Sequence, residues 1–436
     1  MANNADAQSI LKLVQMKILW ITNILFPEAM SLITGENQLK ASGGWMIGLA
    51  NEIAKHPEIE LSIATIYHKV KSLKVSKGEN ITYYTFPFCK GNLWYNKKHE
   101  KYWKEIYDMA KPDIVHIHGT EYSQGLAFMN VFPEAKVVIS IQGLISVIQK
   151  HFCDGLSTSQ ILKNLTFRDI KKNNSLIREK KTFRRRGEEV EVKMLEKCKY
   201  IIGRTNWDHA HVKAVNPVAE YFFCNEILRE EFYTGRWEYD RCQPHTIFLS
   251  QATSPFKGLH KVLEALPAVL RRYPDAKVWI AGANITRFDT FRDKTHLTGY
   301  GRIIRGMLAK NNLWKHVEFT GPLNAREMKE AFLSSNVFVC PSSIENSPNS
   351  LGEAQLLGVP CVASYVGGTP LMVPDESCGL LYNFDEHEIL AQFIMEQFEK
   401  SKDFDNTAMR TIAHARHNRE QNTARQIEIY KEIFAR

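Results

Sequence analysis

Pro341-Ser-Ser-Ile-Glu345-Asn-Ser347-Pro348-Asn349-Ser350-Leu351-Gly-Glu353-Ala-Gln-Leu-Leu-Gly358 follows a short apolar run, residues 336–340, that reads as a buried strand. A strand that passes through a loop into a helix delivers that loop to the carboxyl edge of a parallel sheet, where open α/β folds bind ligands. Ser347 is placed to cap the helix, Pro348 suits its first turn, and Gly358 suits its end. The backbone N–H groups of Asn349, Ser350 and Leu351 then face the loop together with the positive end of the helix dipole, which makes an anion site without a metal. Glu345 precedes the helix and Glu353 lies inside it. A carboxylate accepts two hydroxyl donors, so these acids suit diols; beside an anion they have to turn towards hydroxyls. The spacing of two glutamates says little alone, and its meaning comes from the strand, cap, proline and glycine around it.

Working outward, residues 16–23 form a strand-like run, followed by Gly43-Gly44 and a helical pattern over 45–54. The alternation continues through strand-like runs at 61–67, 114–118, 136–141 and 200–203. It is interrupted over 224–243, where polar and aromatic residues lack periodicity, and restarts with runs at 245–250, 277–282, 316–320, 336–340 and 360–364, with an amphipathic helix over 259–270. Short buried strands separated by helices predict an α/β fold with two parallel sheets. With 436 residues the chain exceeds a single core. The expected division is a Rossmann-like domain over 16–230, a second over 240–412, and a terminal helix over 413–436 with Ile412, Ile427, Tyr430 and Ile433 as buried positions. Residues 1–15 receive no role.

No apolar stretch approaches the roughly 18 residues that cross a bilayer, and the N-terminus lacks the charged and apolar regions of a secretory signal. The expected location is the cytoplasm or the inner face of its membrane. Eight cysteines show no Cys-x-x-Cys spacing, which argues for reduced thiols. The net charge of +8 is concentrated: residues 163–186 hold ten Lys/Arg against two acids, a local +8. That segment is either a solvated helix pair or a contact for anionic lipid head groups or a diphosphate-bearing acceptor. No nucleic-acid-binding pattern accompanies the charge. Strand alternation puts His116 and His118 on one side. Neither a phosphate loop nor a dinucleotide fingerprint is present, and Asp403-Phe-Asp405 follows no strand, so no metal site is expected.

The segment 341–358 resembles the Glu-x7-Glu signature of family 4 retaining glycosyltransferases of the GT-B fold, and the likeness extends over nearly the whole chain from Met16. The resemblance implies two Rossmann-like domains with parallel sheets facing across a cleft, and a C-terminal helix crossing back to the first. It implies transfer of a hexosyl group from a UDP- or GDP-linked sugar, as substrate and without a cofactor, to a glycan or lipid-linked acceptor in cell-surface polysaccharide biosynthesis. It assigns Glu345 to the sugar and Glu353 to the ribose. His118 approaches the sugar and diphosphate, and Gly43-Gly44 the donor phosphates; Gly321 and Leu323 lie near the nucleobase. Lys257, after the first strand of the second domain, faces the leaving diphosphate. The family commonly carries an arginine about five residues before this lysine, where this chain has Gln251 and Ala252; Arg204 and Arg302 are the candidates to replace it. A non-catalytic nucleotide-sugar-binding subunit, or a GT-B enzyme of another reaction such as a nucleotide-sugar epimerase, would share these features.

Overall fold

A strand covered by helices on both faces is apolar along its whole length, and Met16–Thr22, Ile114–His118 and Val337–Cys340 are buried at nearly every position. The computed structural model describes residues 15–35, 44–88 and 96–436. The first sheet comprises β1 (Met16–Thr22), β2 (Ile59–Tyr67), β3 (Lys74–Lys77), β4 (Ile81–Pro87), β5 (Ile114–His118), β6 (Val137–Ser140), β7 (Tyr200–Gly203) and β8 (Glu220–Phe223), in the order β3-β4-β2-β1-β5-β6-β7-β8. All pairings are parallel except that of β3 with β4. The second sheet comprises β9 (Thr246–Leu249), β10 (Lys277–Ala281), β11 (Val317–Gly321), β12 (Val337–Cys340), β13 (Cys361–Ser364) and β14 (Leu380–Tyr382), in the order β11-β10-β9-β12-β13-β14, parallel throughout.

Each sheet reverses its winding once at its centre, between β1 and β5 in the first and between β9 and β12 in the second. Loops leaving a reversal point diverge and open a crevice at the carboxyl edge. Lys257 follows β9 and Glu345 follows β12, so the topology alone sets them on the two lips of the second crevice.

Alternation along the strands divides each core in two. Leu19, Ile21, Val115 and Ile117 pack on one face of the first sheet, Ile18 and Trp20 on the other. Phe152, Cys153, Ile161 and Leu176, from within 16–230, pack into the core of the second sheet. Helices between β6 and β7 therefore brace the second domain. Seven described cysteines are buried free thiols, and no helix among the described residues is long and apolar enough to cross a membrane.

Three departures from the sequence reading have simple causes. The short strands β3, β8 and β14 carry no long apolar run, and β3, Lys-Val-Ser-Lys, is a mostly exposed edge; β4, Ile-Thr-Tyr-Tyr-Thr-Phe-Pro, is mostly buried and its polar threonines break the apolar run. The tail expected as one helix is two, Thr407–Arg416 and Arg419–Phe434. Asn418 caps the second by accepting from the Gln421 amide at 2.9 Å, while the His417 ring reaches the Glu226 carbonyl at 2.8 Å and fixes the bend. Ile412 consequently packs against the second domain, whereas Ile427, Ile429, Tyr430 and Ile433 are buried in the first.

The returning helix is tied as well as packed. The Tyr430 hydroxyl accepts from Trp20 Nε1 at 2.9 Å and meets His116 Nδ1 at 2.6 Å; the other ring nitrogen of His116 meets the Ser140 hydroxyl at 2.6 Å. Tyr430→Phe would leave the Trp20 donor buried without a partner, at a cost of about 1–3 kcal/mol. The expected result is a lower denaturant midpoint at unchanged slope; an unchanged midpoint would show that the tie contributes nothing.

Candidate functional site

Between the two sheets lies a cavity of about 1180 Å³. The loop after β9 ends in a short turn, Pro255–Lys257, and Gly258 with φ of 74°. A Cβ on Gly258 would stand 1.7 Å from the Pro341 carbonyl oxygen, so only glycine lets this loop seat against the start of the loop after β12. The seating is completed by the Ser343 amide donating to the Phe256 carbonyl at 2.8 Å. Glu345 is then fixed at both ends. Its carbonyl accepts from the Gly368 amide at 3.0 Å, and its carboxylate accepts from Lys257 Nζ and the Ser342 hydroxyl, each at 2.6 Å.

The helix after this loop, Asn349–Leu357, points its N-terminus at the cavity. Its first N–H groups have no partner within the helix, and Asn349 and Ser350 line the cavity. Two details differ from the expectation. Ser347 does not cap the helix: its hydroxyl contacts the Met372 sulfur, and Pro348 holds the cap position, because the proline already presets the backbone there. Leu351 is fully buried and its amide donates to the Pro348 carbonyl at 2.9 Å, which takes it out of the expected three-amide cradle.

Glu353 is 4% exposed and takes a bidentate contact from Arg229, Nε to Oε1 at 2.6 Å and Nη2 to Oε2 at 2.7 Å. Burial pushes its carboxyl above the usual range, and the Arg229 guanidinium pulls the other way. Two ion pairs, Lys257 with Glu345 and Arg229 with Glu353, therefore face one cavity.

Of the other expected residues, Gly44, Leu323 and Arg204 also line it. Arg204 is buried, paired with Glu226, and donates to the Ile141 carbonyl at 2.7 Å, so its charge is already matched. Gly321, with φ of 82°, sits behind the Pro322-Leu323 wall. Gly43 lies outside the described residues. Arg302 is elsewhere: it is exposed and donates to the Leu165 carbonyl at 3.0 Å, where it braces a helix end and has no access to the cavity. His118 is 4% exposed, stacked on His116 at 3.9 Å with the Trp20 ring tilted against it at 4.1 Å, and lines a separate void of about 20 Å³ that shares Trp45, Gln142, Arg204 and Glu226 with the large cavity. Desolvation, with His116 and Arg204 nearby, holds it well below the ordinary histidine range, so the ring is neutral. With both its nitrogens engaged by Tyr430 and Ser140, His116 has none left for a metal.

Two residues escaped the sequence reading. Arg229 sits in the aperiodic connector, where nothing but a surplus of acids in the cleft signals it. Asn346, between the two glutamates, crosses the domain boundary: it accepts from the Thr205 hydroxyl at 2.7 Å and donates to Asp208 at 2.9 Å, while Thr205 and Asp208 form the capping box of the helix Asn206–Val215.

This architecture is the GT-B fold: two doubly wound domains, a cleft between their carboxyl edges and a last helix returning to the first. The likeness to solved structures covers nearly the whole chain. Sucrose-phosphate synthase from Thermosynechococcus elongatus matches with a TM-score of 0.66 at 17% identity, over 97% of this chain and 100% of that one. HepE of Anabaena, solved in complex with UDP-glucose, matches with a TM-score of 0.62 at 13% identity, over 96% and 100%. Residues 241–418 match the family model described as glycosyl transferases group 1. Among curated proteins, the sulfoquinovosyl transferase SQD2 of Arabidopsis thaliana is 28% identical over 166 residues, 37% of this chain and 26% of its own. The D-inositol 3-phosphate glycosyltransferase of Corynebacterium urealyticum is 26% identical over 186 residues, 41% of this chain and 40% of its own. The chain thus spans less than half the length of these relatives.

Asn346→Ala removes a donor from a buried carboxylate and should lower stability by about 1–3 kcal/mol. Asn346→Asp should be worse, because it sets a second carboxylate against Asp208 in the interior. Thermal unfolding of the two variants checks the ranking; an aspartate variant as stable as the alanine one would refute it.

Proposed function

We propose that the protein is a retaining glycosyltransferase that moves a hexosyl group from a UDP- or GDP-linked sugar to a glycan or lipid-linked acceptor in cell-surface polysaccharide biosynthesis, without a metal. The observation that carries this reading is the convergence of the Lys257–Glu345 pair with the N-terminus of Asn349–Leu357 at the reversal point of the second sheet. The match of residues 241–418 to a glycosyltransferase model supports it, as does the fold shared with a protein solved with UDP-glucose.

In this reading the diphosphate lies at the Asn349 and Ser350 amides, with Lys257 matching the charge that develops as the leaving group departs. Glu345 turns its free oxygen to hydroxyls of the transferred sugar, Glu353 accepts from the ribose, and Pro322-Leu323 covers the base. The bond from the anomeric carbon to the phosphate oxygen breaks while the acceptor oxygen bonds to that carbon on the same face. The acceptor proton passes to the departing phosphate, so no side chain serves as nucleophile. His118, neutral and without a hydrogen-bond partner, is the acceptor for a substrate hydroxyl if domain motion opens its void to the cleft.

A UDP- or GDP-sugar should raise the melting midpoint of the protein, and Lys257→Ala should lower kcat of transfer by about 10²–10³-fold. Glycosyl transfer unchanged by Lys257→Ala together with Glu345→Gln would remove both residues from catalysis, and a wild type that binds the nucleotide sugar but transfers nothing would leave only a binding role.

The basic segment 163–186 supports contact with an anionic membrane surface, but not through all its charges. Arg186 is buried, donating to the Glu121 carbonyl and stacking on Tyr122 and Phe183. Arg184 and Arg185 each face a glutamate one turn on, Glu188 and Glu189. The exposed apolar side chains lie at the tip formed by Thr158–Lys163 and Phe167–Lys171, where Phe167 is 60% and Ile170 73% exposed among Lys163, Lys171 and Lys172. Apolar side chains ringed by lysines suit the boundary between head groups and acyl chains. Phe167→Ser with Ile170→Ser should abolish co-sedimentation with vesicles containing anionic phospholipid, whereas Arg184→Gln with Arg185→Gln should weaken it little. The reverse ranking would remove the tip from this role.

A further inference from the structure

The cleft demands a cation that the sequence pattern does not supply. Glu353 occupies the middle of a buried helix, where a lone carboxylate is poorly solvated and takes up a proton. A protonated carboxyl offers one donor and a weakened pair of acceptors, which suits a diol poorly. About five residues before Lys257, where the resembling family commonly places an arginine, this chain has Gln251 and Ala252.

Arg229 meets this demand from the connector between the domains. Its Nε and Nη2 approach the two Glu353 oxygens side-on at 2.6 and 2.7 Å, the planar two-point geometry that only a guanidinium provides. Each oxygen receives one of these contacts and keeps a second lone pair, directed away from the guanidinium in the carboxylate plane, so two acceptors remain, a match for two neighbouring hydroxyls. The side chain that does this is itself held. Its guanidinium lies over the Phe232 ring at 4.6 Å, and its stem runs against Gly44, where a Cβ would come within 2.8 Å of the Arg229 Cγ. Glu353 belongs to the second domain, Gly44 to the first and Arg229 to the segment joining them, so the carboxylate is aimed only while all three stand in this arrangement.

We propose that Arg229 is a positioning residue for the nucleotide: its two-point contact fixes the Glu353 carboxylate and presents the two remaining lone pairs to the ribose diol of the donor. This rests on the donor-site reading above and adds to it the group that makes ribose recognition possible in this chain.

The experiment is isothermal titration of the full chain with UDP and GDP and with their 2′,3′-dideoxy counterparts, for the wild type, Arg229→Gln, Arg229→Lys and Glu353→Gln. The wild type is expected to prefer the ribose form of its nucleotide by about tenfold or more. Arg229→Gln should shrink that preference to near parity while binding the dideoxy form as the wild type does, and Glu353→Gln should do the same. Arg229→Lys, which keeps the charge and loses the second contact, should give an intermediate preference, and decides the matter alone if the glutamine variant does not fold. A wild-type preference retained in Arg229→Gln and Arg229→Lys, or an equal loss for both nucleotide forms, overturns the proposal by showing a bystander or a merely structural pair. A wild type that binds no nucleoside diphosphate overturns the donor-site reading itself, and a wild type that binds without discriminating ribose overturns this inference alone.

Discussion

A loop that carries charged groups into a cleft has to find a partner for each polar atom it buries, and residues 341–348 find them in both domains. The Glu345 carbonyl rests on the turn at Gly367-Gly368, the Ser343 hydroxyl donates to the His151 carbonyl at 2.8 Å, and Asn346 joins the capping box of a helix in the first domain. None of these contacts touches the cavity, yet each fixes a backbone position from which Glu345 or the following helix is projected. The placement of the charged pairs is therefore inherited from satisfied backbone and amide groups behind them, an arrangement in which the outer layer sets the geometry of the inner one.

Three ion pairs stand at the centre of the cleft: Lys257 with Glu345, Arg229 with Glu353, Arg204 with Glu226. Isolated, each of these groups would be costly between two low-dielectric walls. Paired, these three carboxylates are offset by their cations, and an incoming diphosphate meets helix amides and one lysine that is already shared. The arrangement explains how a cleft with several acids can still be read as an anion site, since Glu345 and Glu353, the acids flanking the helix N-terminus, are each held by a cation.

The architecture was legible because both sheets are built from buried parallel strands, whose unbroken apolar runs are the plainest signal a sequence carries. The edges were not: β3 and β14 are short or exposed and hold no such run. In the same way, Glu345, Lys257 and the helix between the glutamates could be read because strand, glycine and helix sit within a few residues of one another. Arg229 could not, since its partner is more than a hundred positions away and its own segment has no period. Arg302 shows the converse. It was a candidate to replace the missing phosphate-binding arginine, but it lies in the helix Gly299–Lys310 and donates to the Leu165 carbonyl. Leu351 was misjudged through local geometry, for a proline at the cap draws the third amide back into the turn.

The helix Arg419–Phe434 fills one face of the first sheet with Ile427, Ile429, Tyr430 and Ile433. A ribosome makes β1 to β8 long before it reaches those residues, and throughout that interval the groove they will occupy is an open apolar surface. The domain begun first is thus completed last, after the whole of the second has emerged. The face that Ile427, Ile429, Tyr430 and Ile433 cover is therefore closed only when the last helix has been made.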